Sequence, residues 1–595
     1  MAGTQYTIKQ NSADSHQSTP WAGITFLSFN QKDTVNFSSS NNASLNMSVT
    51  NYTVVSDILR IQVTSSKGNN MITAEAVLSS GHLNYQALIS PGDHALIWIH
   101  DDVGQYEKVM GAAHDSKAAN GFHSGLKFIG KVNSVRSAFN TSSNGIKTLK
   151  YMVTFKGFSE FSTKVYYNPL LQDPNPDNTD AGQQRNIKNL YAAITTSWQN
   201  YLLTGSEATN RVDNLIKFFI KIFLGNGPDP STTNVVSTSD IGTFAAVRSP
   251  NEAFLVPKEL LSILGLPSQN SRAPNYADVL DVSAIGIQSY SYGGFEPYIA
   301  NLLYGNLIAI PDLFNDVVLW SLIQGVSNAW LNETYTAIRL DKNNRIVPRF
   351  IARQIPFSSI HLEERLNSMG MDQNSVQYTP FLSLPRWVID PTMQINSFNI
   401  GTSDIARYNF FQVYAQLTDV QSPIPNFAQL AQIKAGNLQM DGLDISRNGT
   451  RTLLAQTGTG LTHPSGNIGE IRAWTALVSD WYTNGHLKLN GHIDCAGISA
   501  PICVGDNLQV AGKVFHIESI THMYEVAEST GHKSFSTSID LSNGVLADGT
   551  YDYHDPKMRK NITNPLAPGG YSDEEVYLNG RPIISAIANK DSKGK

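Results

Sequence analysis

Short runs in which apolar and polar residues alternate, broken by glycine-centred turns, fill the stretch from Asn490 to Gly544. The alternation over Asn507–Val510, Val514–Met523 and Ser534–Leu541, with Gly-Asp, Ala-Gly and Thr-Gly-His between the runs, predicts antiparallel strands. The pattern occurs once before, where SPGDHALIWIHDD is followed by LKFIGKVNSVRSAFNTSSNGIKTLKYMVTFKG. Gly92-Asp93 matches Gly505-Asp506, and Lys131–Val135 matches His516–Ile520. Asn144-Gly145 and Thr530-Gly531 each turn into a last strand, closing at Gly157 and Gly544. The Gly-Asp pairs stand 413 residues apart, at 92 and 505, so one domain type is used twice and not as a short tandem array.

The rest of the chain arranges itself around these two copies. Residues 1–20 read as a polar N-terminal arm, extended or disordered. Residues 21–165 show strand signals almost throughout, clearest at Ile58–Thr64, Ala95–Ile99, Leu126–Val135 and Leu149–Phe155, and predict a first β-barrel. Residues 166–345 change character. A Pro/Asp/Asn-rich linker at 168–180 is followed by helical periods at Gln184–Leu203, Arg211–Leu224 and Pro257–Leu264, and a helix is expected from Pro311 onward with Leu313, Val317, Trp320 and Ile323 on its apolar face. Residues 346–545 return to extended structure as a second barrel, interrupted near 418–482 by a short insertion that ends in a helix at about Ile468–Tyr482. Residues 546–595 form a polar tail. The predicted fold class is α+β, mainly β: two antiparallel β-barrels in one chain with an α-rich insertion between them.

Composition narrows the function. At 595 residues the chain is long enough for about three or four domains, and 15% charged residues leave an unusually uncharged surface. A net charge of −6 gives no basic stripe, so sequence-specific nucleic-acid binding is not expected. Cys495 and Cys503 are the only cysteines, which fits a reducing compartment and no disulfide framework. The first twenty residues lack the apolar core of a signal peptide, and the apolar run Leu215–Leu224 is far shorter than the roughly 20 residues of a membrane span, so no membrane insertion is expected.

The candidate chemistry is thin. Gly125–Val132 matches most of a phosphate-binding GxxxxGK pattern, but Val132 stands where a Mg2+-binding hydroxyl is needed, and the segment reads as a strand. His492, Cys495, Cys503, His516 and His522 invite a zinc reading, yet the cysteines lie outside the short spacing of structural zinc sites. His516 and His522 are expected on one outward strand face with Glu518. Cys503 with a nearby histidine and Asp506 suggests a nucleophile, but Asp93 occupies the same turn in the other copy and explains Asp506 better. The acids Glu363-Glu364 and Glu574-Glu575 read as solvated surface, and Trp474, Trp481 and Tyr482 as packing. No catalytic, cofactor-binding or metal residue is therefore predicted. The residues singled out are structural turns: Gly92, Asp93, Gly505 and Asp506. Glycine permits positive φ where each strand begins, aspartate can bond nearby amides, and Asp506→Asn is expected to be mild because an acceptor oxygen remains.

The ordered set of motifs resembles the baseplate hub proteins of contractile-tailed bacteriophages and their relatives in contractile injection systems. In the first half the likeness lies in SPGDHALIWI, FIGKVNSV and VTFKGF. In the middle it lies in Leu384–Pro391 (LPRWVIDP) and the Ser-Asp-x-x-x-x-Asn stretch Ser403–Asn409; in the last part, in SDWYTNG, VGDNLQV, FHIESITHMYEV and IDLSNG. The resemblance covers roughly residues 50–160 and 345–545, and implies tail-tube-like barrels in a homotrimer. It further implies a structural, non-enzymatic virion protein without cofactors, placed in the tail baseplate and assembled in the host cytoplasm. Its implied partners are the tail tube or tube-initiator protein, the central spike, the tape-measure protein and wedge proteins. The alternative reading is a β-rich host-recognition or carbohydrate-binding tail protein.

Overall fold

The computed structural model describes residues 4–8, 19–29, 49–80, 83–105, 125–141, 147–160, 255–267, 276–283, 332–341, 345–356, 362–370, 380–390, 395–414, 437–439, 442–456 and 468–549, with a few shorter pieces. It is mainly β. Before residue 160 the strands are β1 (Gln5–Ile8), β2 (Trp21–Phe29), β3 (Val49–Val54), β4 (Ile58–Ser66), β5 (Thr73–Ser79), β6 (His94–His100), β7 (Leu126–Thr141) and β8 (Lys147–Gly157). The middle holds β9 (Tyr166–Tyr167), β10 (Ile285–Gly286), β11 (Val317–Val318), β12 (Asn332–Leu340) and β13 (Ile346–Gln354). Then come β14 (Arg386–Ile389), β15 (Ile395–Gly401), β16 (Phe410–Tyr414), β17 (Asn437–Gln439), β18 (Thr452–Gln456), β19 (Leu489–Ala496), β20 (Asn507–Val510), β21 (Lys513–Val526) and β22 (Lys533–Leu546).

A 14-stranded sheet runs through both halves. One unit reads β4-β5-β8-β7-β6-β2-β3, and the other β15-β19-β22-β21-β20-β14-β1. The first five strands of each are antiparallel neighbours in matching order. Their irregularities match too. Val132 and Ser134 face Phe155 and Thr154 across one skipped residue, as Ile517 and Ser519 face Leu541 and Asp540. Such a bulge switches which residues point inward. Phe515 and Ile517 before it, and Ile520 and Tyr524 after it, are all buried. The units diverge at the sixth strand: β2 runs antiparallel to β6, whereas β14 runs parallel to β20.

Each unit rolls around its own core. The first gathers Ile24, Phe26, Ile61, Ala76, Ile97, Phe128 and Phe155. The second gathers Trp387, Ile493, Leu508, Phe515, Ile517 and Ile539, with Tyr335, Ala337 and Ile351 supplied by the β12–β13 hairpin. The units are sewn together edge to edge, because Ser519–Glu525 of β21 pairs antiparallel with Ser66–Arg60 of β4. That seam also explains why the first unit is not the closed barrel expected. β4 has β5 on one side and β21 on the other, so no edge is left to meet β3. Among the described residues neither unit closes.

Other expectations shift as well. The described part of 166–345 is mixed, not α-rich: helices at Lys258–Ile263 and Tyr276–Val279 stand beside β9 to β12. Val317 and Val318, expected on a helix, pair with Tyr167 and Tyr166 as a short antiparallel ladder, a conformation that suits β-branched residues. Helical geometry appears at Trp320, Ser321 and Ile323. The helices expected at 184–203 and 211–224, and most of the 546–595 tail, lie outside the described residues. The helix Ile468–Tyr482 has the bounds that periodicity suggests.

Within the polar N-terminal stretch, β1 pairs in parallel with β14, Ile8 is 2% exposed in the second core, and the Tyr6 ring stacks 4.7 Å from Trp387. Removing residues 1–8 is expected to cost about 2–4 kcal/mol, mostly through Ile8 and the uncovered Trp387. Chemical denaturation of the truncated chain measures this, and an unchanged midpoint contradicts it.

Candidate functional site

The seam between the units is where the polar chemistry concentrates, and both Gly-Asp turns feed into it or mirror it. Gly92 has φ +99° and Gly505 φ +78°. The Gly92 amide donates to Val132 O at 2.8 Å and the Val132 amide to Asp93 O at 2.8 Å. In the second unit Gly505 donates to Ile517 O at 2.8 Å, and Ile517 to Asp506 O at 3.0 Å. Each turn thus opens the strand that follows and locks it to the residue just before the bulge.

The side chains then differ. Asp93 Oδ2 accepts from the Ser90 amide at 2.8 Å, and burial pushes its carboxyl upward against that bond and one from Ser28. Asp506, 2% exposed, accepts instead from the Trp387 indole N–H at 2.9 Å and is ion-paired with Arg339. An Asp506→Asn change keeps an oxygen for the indole but leaves the Arg339 guanidinium, 14% exposed, without its counter-charge. The mild effect expected from the sequence gives way to a destabilising one. The glycines differ too. A Cβ at Gly92 meets nothing within 4 Å, whereas one at Gly505 would lie 1.9 Å from Tyr335 Oη.

Behind Gly505 lies a buried charge cluster. Glu333 of β12 receives Lys67 Nζ at 2.6 Å from the β4–β5 turn and Arg353 Nε at 2.6 Å from β13. Arg353 also donates to Gly505 O, and Lys67 lies 3.3 Å from Glu518 of β21. Burial alone would push the Glu333 carboxyl up, but Lys67 and Arg353 outweigh it and hold it well below the usual range. Glu518 is likewise depressed, burial being overcome by Lys67 and His516. The cluster ties the first unit, the β12–β13 hairpin and the second unit to one another by charge, beside the seam where β4 and β21 pair.

The histidines are buried, not outward-facing. His516 is 0% exposed between the rings of Phe381 and Trp481, with Nδ1 3.3 Å from Asn507 Oδ1. His522 is 6% exposed, with Nδ1 3.0 Å from Thr537 Oγ1. The bulge at Glu518 explains the failure of the simple alternation: it puts His516 and His522 on opposite faces of β21. Burial lowers the affinity of both for protons. Cys495 Sγ donates to Thr537 O at 3.3 Å and Cys503 Sγ to Ile338 O at 2.9 Å, both thiols free and buried. His492 sits apart, bridging Asp540 at 2.7 Å and Asp494 at 2.8 Å. Among the described residues no group of three or more His, Cys, Asp or Glu could hold a metal ion.

The GxxxxGK segment is the start of β7. There Lys127 Nζ donates to Ser499 O at 3.1 Å and Ala500 O at 2.8 Å, crossing from one unit to the other. Burial brings this ammonium down to about 7, against the attraction of Cys503 and Asp101. It lines a cavity of about 30 Å3 with Cys503 and His522, room for roughly one water molecule. Lys131 lies 4.9 Å from the centre of the Tyr276 ring. The Ser403–Asn409 stretch also has a structural task. Ser403 Oγ accepts from the Ile405 amide at 3.3 Å, and Asn409 clasps the 449–451 loop through Gly449 O at 3.0 Å and the Arg451 amide at 2.7 Å.

Acid should loosen this seam in two stages. His516 and His522 have folded proton affinities below the ordinary value of 6.5, so the unfolded chain binds protons first. Their contribution is complete above that value and declines as pH falls below it. Glu333 and Glu518 are depressed below 4.5, so theirs is lost only in more acidic solution. Melting temperature is expected to fall from pH 7 to 5 and more steeply below 4.5; a flat profile contradicts the buried network.

Lys67, Arg339, Glu333, Arg353 and Lys127 were not legible as a site in the sequence, since each is one charged residue among ordinary strand or turn neighbours. No protein-family model matches the chain, and no curated protein matches it. Solved structures similar to it include three tail proteins. The 43 kDa tail protein of prophage MuSo2 from Shewanella oneidensis is 9% identical over 89% of this chain and 99% of that one, with a TM-score of 0.37. The tail protein from Neisseria meningitidis MC58 is 9% identical over 87% and 96%, with a TM-score of 0.34. The prophage tail protein gp18 from Listeria monocytogenes EGD-e is 6% identical over 88% and 94%, with a TM-score of 0.29.

Proposed function

We propose that the chain is a structural protein of a contractile phage tail, the baseplate hub, which as a homotrimer joins the sixfold tail tube to a threefold central spike and nucleates baseplate assembly. The observation that supports this reading most is the doubled β-unit. A single chain holds two units of matching strand order joined edge to edge. Three such chains present six similar units to a tube while keeping threefold symmetry for a spike. Most of the motifs that resemble the hub family fall within these two units, while Ser403–Asn409, just before β16, and SDWYTNG, at the end of the helix Ile468–Tyr482, lie outside them.

The work is non-covalent in this reading: tube above, spike below, wedge proteins outside and the tape-measure protein along the channel. No turnover is expected, and a suspension of peptidoglycan should stay turbid in the presence of the purified protein. Electron microscopy of tail particles carrying a tagged copy tests the placement. Density for the tag at the junction of tube and baseplate supports the hub. Density at fibre tips, together with binding of the purified chain to host glycans, favours the host-recognition alternative instead.

A further inference from the structure

We propose that the free edge of β7, Ser134–Thr141, docks on β15 of a second copy of this chain, in a pairing that repeats the internal one between β21 and β4. The inference rests on the ring reading above and adds its surface, register and anchor.

Within the chain, β21 is paired along both edges: β22 on one side, then β20 and β4 in turn on the other. Its counterpart β7 is paired with β8 along one edge, but on the other edge β6 reaches only as far as Lys131. Beyond the turn bonds at Val132, the edge from Ser134 to Thr141 has no strand beside it among the described residues. β4 lies at the start of the first unit's order and is covered by β21. Its counterpart β15 lies at the start of the second and pairs with β19 alone among the described residues. Each unit therefore has the two complementary edges, and the chain uses one of each.

The side chains fit this accounting. Counting from the matched bulges, Tyr524 on β21 corresponds to Phe139 on β7. Tyr524 stands opposite Phe535 and Phe139 opposite Leu149. Tyr524 and Phe535 are 3% and 9% exposed because they plug the core of the first unit across the seam. Phe139 has no such socket and is 71% exposed. On the receiving strand, the register shift at Ile58/Arg60 in β4 recurs at Ile395/Ser397 in β15, so Ile61 corresponds to Phe398. Ile61 is the residue opposite Tyr524 in the seam. The same register sets Phe139 opposite Phe398, and Arg136–Asn140 opposite Gly401–Ser397. Arg136 is the only charged residue in these two segments, so no like charges meet. The contact joins unlike surfaces, so it propagates from copy to copy and ends only when a ring closes.

Ala138 and Asn399 stand directly opposite in this register, about 4.5–5.5 Å apart between Cβ atoms. The A138C/N399C chain is therefore expected to give covalent multimers ending at three chains when oxidised or treated with a short bismaleimide. Either single variant should stay one chain on a denaturing gel, since Cys495 and Cys503 are buried. Phe139→Asp, at an exposed position, is expected to leave the melting temperature of the isolated chain unchanged and to raise the dissociation constant at least tenfold. An oligomer by light scattering without cross-linking in the double variant overturns this surface and leaves the ring reading standing. Cross-linking by A138C alone means like edges pair, and also overturns it. An unmodified chain that stays monomeric at every concentration removes both.

Discussion

Replacing Gly505 by alanine is expected to destabilise the protein far more than replacing Gly92, although the two glycines hold matching turns. Both have positive φ, and forcing a Cβ-bearing residue into that region costs about 1–3 kcal/mol at either position. At Gly92 that is the whole cost, since a Cβ there has open space around it. At Gly505 the new atom would sit 1.9 Å from Tyr335 Oη and 2.9 Å from Arg353 Nη2. Tyr335 is fully buried, so it cannot swing away without disturbing the second core. Overpacking of that kind adds about 1–3 kcal/mol. The expected losses are therefore about 1–3 kcal/mol for Gly92→Ala and about 2–6 kcal/mol for Gly505→Ala. Denaturant midpoints of the two variants make the comparison. Adding Tyr335→Phe to Gly505→Ala should recover part of the loss by removing the nearest atom, and equal losses at the two glycines would contradict the account.

Glu333→Gln is expected to cost about 3–5 kcal/mol, because it strands two buried cations. Lys67 and Arg353 both converge on that carboxylate, and their side chains are 11% and 17% exposed. The surface pair Lys150–Glu528, whose carboxylate is 57% exposed, serves as the internal control; Glu528→Gln should cost less than about 1 kcal/mol. The Glu333 variant should also lose part of the acid sensitivity of the wild type below pH 4.5, since one of the depressed carboxylates is gone. Thermal melts across pH for both variants read the two effects together. A Glu333→Gln melt superimposable on the wild type would show that the cluster does not hold the seam.

The sequence announces strands and turns better than it announces neighbours. Gly92-Asp93 and Gly505-Asp506, the long strands β7, β21 and β22, and the helix Ile468–Tyr482 are all visible as local pattern. Edge pairing is not local. Nothing in Ile58–Ser66 states that its outer edge meets Ser519–Glu525, more than 450 residues later, so local pattern predicts a pair of barrels where the structure has an open, seamed sheet. Alternation also fails across a bulge. Glu518 shifts the phase of β21, which is why strict alternation places His516 and His522 on one exposed face although they are buried on two. The short strand β1 is polar apart from Ile8, so a single buried side chain is all that marks it as part of a distant sheet. The charge cluster was hidden for the same reason, because Lys67, Glu333 and Glu518 come from three separated strands or turns.

The internal seam and its counterparts on β7 and β15, which have no strand beside them among the described residues, make the number of chains in the assembly the central quantity. Class averages of the purified oligomer, viewed down its axis by electron microscopy, measure it directly. A closed ring of three chains with six β-units around a channel is expected. A twofold dimer, or a particle whose units number other than six, would contradict it.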